Sequence, residues 1–385
     1  MTSAYEILAQ LKRTASGPMT EARGAEPAFY WNEEVASAEE NAIFRHDWVC
    51  PGLASEIPDV GDYLTFSIAG EPVFSIRDSS GEIKTYANIC RHRMMQLLQG
   101  RGRTSRVTCP YHAWSYNLQG QLVGAGHMNH SVGFDKTKIC LPQIRTEIWN
   151  GWIYITLNPD AQSMREALAP LNDVVARYGM EHYVAVLNEE HVWQTNWKLL
   201  TENFMEGYHL PVAHKATVGA WFAPNKTVFP DQSYDSFTYQ TFAKTHSARY
   251  GQAHPDNTRL TGEWRNTSIL PTVFPTHMYV LAPDHLWYLS LRPRGVGAVD
   301  VRFGVAIAPE VDAMLTDAAE RAAWIRDLVA FFEHVNGEDR HVVEGIYAGS
   351  RSSFASPGQL SWLEREIHDF QKYLAQRLAP DTQRG

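Results

Sequence analysis

Cys90-Arg91-His92, followed after sixteen residues by Cys109-Pro110-Tyr111-His112, places two matched Cys/His pairs in one short stretch of a 385-residue chain. Two thiolates and two imidazoles suit a [2Fe-2S] cluster whose irons take sulfur and nitrogen respectively, a ligation that raises the potential above that of an all-thiolate centre. Zinc accepts the same donors, but the zinc-finger order is two Cys and then two His, whereas each pair here is mixed. Ninety-four residues after His112 begins a second group, Glu206-Gly207-Tyr208-His209 with His214. Two imidazoles and one carboxylate with open positions make the facial set that binds non-haem Fe(II). A one-electron cluster on the same chain as an iron that can bind O₂ implies an oxygenase.

The elements around these residues follow from periodicity. Asn196 to Glu206 predicts a helix, and the spacing of three puts Glu206 and His209 on one face. His214 lies five beyond His209, so Pro211 is expected to break or kink the helix and re-aim it. Ala38 to Val49 predicts a short amphipathic helix. Tyr63-Leu64-Thr65-Phe66-Ser67-Ile68 and Pro72-Val73-Phe74-Ser75-Ile76 alternate as strands, with turns at Ser79-Ser80-Gly81 and Leu118-Gln119-Gly120. A β-rich domain is expected to end near Asn158-Pro159. Beyond it the pattern predicts a helix from Met164 to Tyr178, a largely polar loop region from Ala223 to Gly262 and strands from Leu281 to Ala308. Two closing helices are expected, Asp312 to Val335 and Ser361 to Leu378.

Cys90-Arg91-His92-Arg93 and Cys109-Pro110-Tyr111-His112-Ala113-Trp114 resemble the cluster loops of the Rieske-type non-haem iron oxygenases, specifically their large (α) oxygenase subunits, and the resemblance runs over nearly the whole chain. Rieske proteins of the cytochrome bc type share the four ligands but add a disulfide between the loops; the spare cysteines here, Cys50 and Cys140, lie outside both. Many members carry Gly where this chain has Met94. The implied fold is α+β: an N-terminal helical segment (1–45) packing on the catalytic domain, a small all-β Rieske [2Fe-2S] domain (46–158), and a helix-grip catalytic domain with an antiparallel sheet (159–385). Cys90, His92, Cys109 and His112 would hold one cluster, and His209 and His214 one mononuclear Fe(II), with O₂ as co-substrate. The third iron ligand in the family lies far down the chain, on the helix that closes the catalytic domain. The matching stretch is Asn336-Gly337-Glu338-Asp339-Arg340-His341-Val342-Val343-Glu344, where Asp339 aligns with the ligand and Glu338 is the second choice.

Glu206 stands where the family carries the carboxylate that links one subunit's cluster histidine to the neighbouring subunit's iron site. Most ring-hydroxylating members have Asp there, and Glu is similar to the choline, betaine and carnitine monooxygenases, which act on trimethylammonium-type substrates. The resemblance therefore implies a closed cyclic assembly, most simply a homotrimer without a small β subunit. It favours N-demethylation of a betaine-like quaternary ammonium compound, with hydroxylation of an aromatic ring as the alternative. A Rieske electron carrier or a ligand-binding protein is the reading outside oxygenase chemistry, since fold alone does not decide function.

Composition fits a two-domain enzyme, with 44% apolar residues. No apolar run approaches a membrane span, Met1 to Ser16 is unlike a signal peptide, and four cysteines suit a reducing compartment, so a cytoplasmic protein without membrane association is expected. A net charge of −9 disfavours nucleic acid as a partner. Within that acidic chain, Ile83 to Phe134 contains no Asp or Glu but includes Lys84, Arg91, Arg93, Arg101, Arg103 and Arg106. Such a patch would steer an acidic redox partner, or its cations would simply bind carboxylates elsewhere. No glycine-rich dinucleotide fingerprint follows a strand, so electrons from NAD(P)H require a separate reductase of the flavin/ferredoxin type.

The small-molecule substrate is less legible. Trp221, Phe222, Phe229, Tyr234, Tyr239, Trp264, Phe274, Trp287 and Tyr288 fall in the catalytic half. Some of these rings could cage a quaternary ammonium, line an aromatic pocket, or fill plain core. His277 and His285 read as hydrogen-bonded, partly buried residues outside the site.

Overall fold

The structure is a computed structural model and describes residues 3–244 and 248–378, so the ends of the expected segments 1–45 and 159–385 lie outside the described residues. The chain forms two units, Phe44–Met164 and a larger one made of Met1–Ile43 with Arg165–Gly385.

In the smaller unit, Asp62–Ile68 buries Leu64, Phe66 and Ile68 on alternate positions, as a half-covered strand should. It pairs antiparallel with Glu71–Arg77, Ile68 facing Glu71. The two intervening residues, Ala69 and Gly70, both have positive φ (46° and 75°), the backbone of a tight hairpin turn that matches strand twist. Seven strands make one sheet and three short strands, Val107–Thr108, Ser115–Tyr116 and Leu122–Gly124, make another. The first Cys/His pair lies between Ile83–Ala87 and Arg101–Arg103, the second between Val107–Thr108 and Ser115–Tyr116. Cys90 and Cys109 belong to the buried cluster that contains Phe74, Tyr86, Trp114 and Tyr116.

The larger unit is built on a six-stranded antiparallel sheet in the order Val184–Trp193, Ala298–Ile307, His285–Arg294, His277–Leu281, Thr267–Val273, Phe237–Ala243. His285 to Leu291 is buried at every position, so this strand is covered on both faces. Helix Trp197–Phe204 is likewise buried at every position and capped by Asn196, whose side chain accepts from Lys198 N. No described helix is long and apolar enough to cross a membrane.

Several elements differ from the expectation. The helix expected from Ala38 starts earlier, at Glu33, because Asn32 caps it at Val35 N; it runs into a wide turn at Glu40–Phe44, and Val49 opens a strand. The segment Met164–Tyr178 is split into Met164–Ala167 and Ala169–Val175, since Pro170 has no N–H to continue the first helix. The supposed loop from Ala223 to Gly262 contains the edge strand Phe237–Ala243. Its pattern is obscured because Thr238 and Gln240 are buried polar residues, Thr238 bonding Glu366 at 2.9 Å. The helix expected to stop at Val335 instead spans Ala318–Ser350, started by Asp317 accepting from Ala319 N and Glu320 N and continuing through Gly337. Asp339 therefore sits mid-helix.

Candidate active site and cluster loops

The two cluster loops share one backbone pattern. Cys90 N donates to Met95 O at 2.8 Å and Met94 N to Cys90 O at 3.1 Å; Cys109 N donates to Trp114 O at 2.8 Å and Ala113 N to Cys109 O at 3.1 Å. The residue four after each cysteine is left-handed, Met94 at φ 58° and Ala113 at φ 56°. This is why glycine suits that position, and Met94 adopts the required angle at a conformational cost. Both thiols are buried while His92 and His112 are exposed. The imidazoles lie side by side with ring centroids 4.7 Å apart, and Trp114 stacks on His92 at 4.7 Å. Desolvation together with the charges of His92 and Arg93 keeps His112 below the ordinary histidine range, which favours the neutral form that ligates metal. Tyr116 OH lies 3.3 Å from Cys90 Sγ and accepts from Arg91 N at 3.0 Å. Buried thiols beside paired imidazoles fit a [2Fe-2S] cluster. No disulfide joins any of the four cysteines.

Half of the basic segment is neutralised. Lys84 pairs with Asp78 and Glu82, Arg101 with Glu56, and Arg103 with Asp59 and Asp62. Arg91, Arg93 and Arg106 remain exposed near the loops, with Arg93 5.5 Å over the Tyr111 ring.

The second group is assembled from two distant segments. Helix Trp197–Phe204 ends before Glu206, so Glu206 and His209 do not share a helix face as the spacing suggested. They meet in the bend after it, where Glu206 accepts from Tyr208 N, from His209 N at 3.0 Å and from His209 Nδ1 at 2.5 Å. Pro211 breaks nothing; it sits in the first turn of the short helix Leu210–Ala213, where a missing N–H costs little. That turn brings His214 beside His209, ring centroids 5.0 Å apart. From helix Ala318–Ser350, Asp339 Oδ1 approaches His214 Nε2 at 3.0 Å and His209 Nε2 at 3.5 Å. Ligand atoms of His209, His214 and Asp339 all lie within 4.8 Å of one another. Donors that each sit about 2.1 Å from one ion are spaced on this scale.

Glu338 is placed differently from Asp339. It accepts from His214 Nδ1 at 2.8 Å, as Glu206 does from His209, and from Thr217 Oγ1 at 2.5 Å. Both imidazoles are thus oriented through Nδ1 by a glutamate and present Nε2 to Asp339, the arrangement that second carboxylates impose on metal-binding histidines. Asn203 Nδ2, which sequence reasoning missed, donates to Asp339 Oδ1 at 2.8 Å. Burial alone would lower the His209 pKa, but hydrogen bonds to Asp339 and Glu206 outweigh it and push it up to about 10. Burial would raise the Asp339 carboxyl, and the two histidines hold it well below the usual carboxylate range. Three carboxylates around two imidazoles create a strong preference for positive charge, which a divalent cation satisfies.

Asn203, Glu206, His209, His214 and Asp339 line one cavity. Of the aromatic candidates, Trp221, Phe222 and Trp287 face it, joined by Phe204 and Phe332. Phe274 instead packs on Phe370 and Tyr373, and Tyr234 stacks on Phe237. His277 is fully buried and held down to about 3 by desolvation. His285 does line the cavity, contrary to its exclusion above, as does Lys244. Neither has a sequence signature; only the position on adjoining strands and loops reveals them.

Comparison with known proteins adds the following. Residues 47–141 match the Rieske [2Fe-2S] domain, and residues 180–380 the catalytic domain of the ring hydroxylating alpha subunit. The glycine betaine monooxygenase oxygenase subunit of Chromohalobacter salexigens is 33% identical over 218 residues, covering 55% of this chain and 49% of that protein. The carnitine monooxygenase oxygenase subunit of Escherichia coli K12 is 33% identical over 189 residues, covering 48% of this chain and 50% of the relative. The chain thus spans about half the length of these curated relatives. The chloroplastic choline monooxygenase of Arabidopsis thaliana is 24% identical over 92% of this chain and 82% of its own. A crystal structure of a quaternary ammonium Rieske monooxygenase with an inhibitor superposes with a TM-score of 0.82 at 22% identity, covering 95% of this chain and 98% of that one. Naphthalene 1,2-dioxygenase from Rhodococcus sp. gives 0.79 at 22% identity over 99% and 100%. These structural likenesses establish the α+β fold of Rieske oxygenases.

Proposed function

The chain belongs to the Rieske-type ring-hydroxylating oxygenase alpha-subunit family, and on that premise we propose that it is the oxygenase component of a multi-component system that hydroxylates a small organic substrate. The observation that carries this reading is the convergence of His209, His214 and Asp339 on the wall of an aromatic cavity. Cys90, His92, Cys109 and His112 would hold a [2Fe-2S] cluster, and the convergent trio an Fe(II), with Asp339 rather than Glu338 as the third ligand. When bound, the cluster supplies single electrons and the iron activates O₂ toward a C–H bond.

The chain's own residues perform the rest. Glu206 and Glu338 hold the Nδ1 protons of His209 and His214, which fixes each ring and aims Nε2 at the place a metal would take, where binding would displace the Nε2 proton. Asn203 keeps Asp339 aimed between the two rings. Phe204, Trp221 and Trp287 position substrate and exclude water. We favour a quaternary ammonium substrate, supported by Glu at position 206, by ring faces that attract such cations, and by the relatives named for betaine and carnitine. One oxygen atom of O₂ would enter an N-methyl group and the other leave as water, consuming two electrons and two protons. The hydroxymethyl amine would then release formaldehyde, a proton and the tertiary amine.

Electrons would come from NAD(P)H through a reductase, and Glu206 would also bridge to a neighbouring subunit's cluster in a homotrimer. A cytoplasmic setting goes with this reading, supported by four cysteines that form no disulfide. The test is a single turnover of chemically reduced protein with O₂, trimethylammonium compounds and aromatic acids, read by mass spectrometry. Methyl loss with formaldehyde is the expected result. Oxygen on an aromatic ring would instead make it a ring hydroxylase, and no oxidised product would refute the oxygenase reading.

A further inference from the structure

Lys244 follows the strand Phe237–Ala243, is only 5% exposed, and contributes to the wall of the cavity that holds His209, His214 and Asp339. An ammonium in such a place needs an anionic partner, because burying an unpaired charge is costly. Among the described residues it has none. Its hydrogen bond is a long one, 3.5 Å to the carbonyl of Tyr250, and the Phe222 ring lies 6.0 Å away. Three N–H donors are available on the group, so among the described residues most of its capacity is unused.

The acid whose charge reaches it, Asp284, is committed elsewhere. Asp284 accepts from Gly251 N at 2.9 and 2.8 Å and from His285 Nδ1 at 2.7 Å. The other cavity carboxylates, Glu206 and Asp339, are engaged by His209 and His214. Burial lowers the Lys244 pKa to about 8, against the pull of Asp284, which still leaves the ammonium charged at neutral pH. Room for it depends on Gly251, which has φ +89° and whose missing Cβ would lie 1.7 Å from Lys244 Nζ. A methionine or leucine in place of Lys244 would fill this apolar wall without a desolvation penalty.

We propose that Lys244 anchors a carboxylate of the substrate, so that the compounds taken by this cavity carry an anionic group as well as the carbon to be oxidised. This rests on the oxygenase reading of the site and narrows its substrate class. A trimethylammonium compound without a carboxylate would meet the like charge of Lys244 uncompensated. A betaine would place one charge against the aromatic rings and the other on the lysine.

The experiment measures dissociation constants by calorimetry on the full chain for two matched pairs, glycine betaine against choline and benzoate against benzamide. The expected result is tighter binding of each carboxylate by about 10- to 100-fold, the range for one charge-assisted hydrogen bond. Lys244→Met should reduce both ratios to near one, and Lys244→Arg should preserve part of them. A melting curve no lower than the parent's shows that Lys244→Met is folded; if it is not, Lys244→Gln replaces it. Ratios unchanged in these variants, equal binding within each pair by the parent, or no binding of either carboxylate would overturn the proposal. Single turnover separates the two readings. Carboxylate selectivity with no oxidised product sinks the oxygenase and leaves the anchor, whereas oxidation of choline and benzamide as readily as their partners does the reverse.

Discussion

Each Cys/His pair of the smaller unit lies within one loop, and both loops are held by the same two backbone hydrogen bonds around the cysteine and a left-handed residue four positions on. The trio of the larger unit joins His214 to an aspartate 125 residues away, across a helix and a bend that do not resemble one another. The first geometry is written locally and the second is assembled by tertiary packing. Damage should therefore stay within a loop in one case and spread through shared carboxylates in the other.

The largest expected effect follows from removing a member of the assembled trio. His209→Ala should abolish turnover while visible absorption of the cluster persists, because nothing in the loop hydrogen bonds depends on it; loss of both together would break the contrast. Next comes Glu338→Gln, which should weaken iron binding about 10- to 100-fold yet restore turnover at high Fe(II), the behaviour of a carboxylate that orients a ligand. Metal titration checks this, and total inactivity at saturating iron would make Glu338 a ligand instead.

In the loops, Met94→Gly should stabilise the protein by about 1 kcal/mol, since a left-handed backbone costs a side-chain-bearing residue roughly that much. Denaturant melts with an unchanged cluster spectrum would show it. A separate effect concerns pH. Glu202 is buried against Tyr30 OH, and desolvation raises its pKa from an ordinary 4.5 to about 7. The folded state holds this proton more tightly than the unfolded chain, so the group's stabilisation is full below pH 4.5 and is lost as pH rises through 7. Glu202→Gln should flatten the fall in melting temperature between pH 5 and 8, a difference on the order of 2–3 kcal/mol.

Much of this contrast was legible in the residues themselves. Cys90, His92, Cys109 and His112 announce themselves because their partners are near in sequence. Glu206, His209 and His214 were visible as a group, although the helix drawn through them ends at Phe204 and the contact comes from a turn. Choosing between Glu338 and Asp339 needed the helix phase: adjacent residues point about 100° apart, so one meets His214 Nδ1 and the other Nε2. Lys244 and His285 could not be found this way. A buried lysine at a strand end has no pattern of its own, and its surroundings arise only when Gly251, Asp284 and the sheet are brought together.

The most direct measurement is metal content with electron paramagnetic resonance on the reduced full chain. Two separate sites predict about three irons per chain, two in a mixed-ligand cluster and one mononuclear. Only two irons per chain, or zinc in the Cys/His loops, would contradict the account.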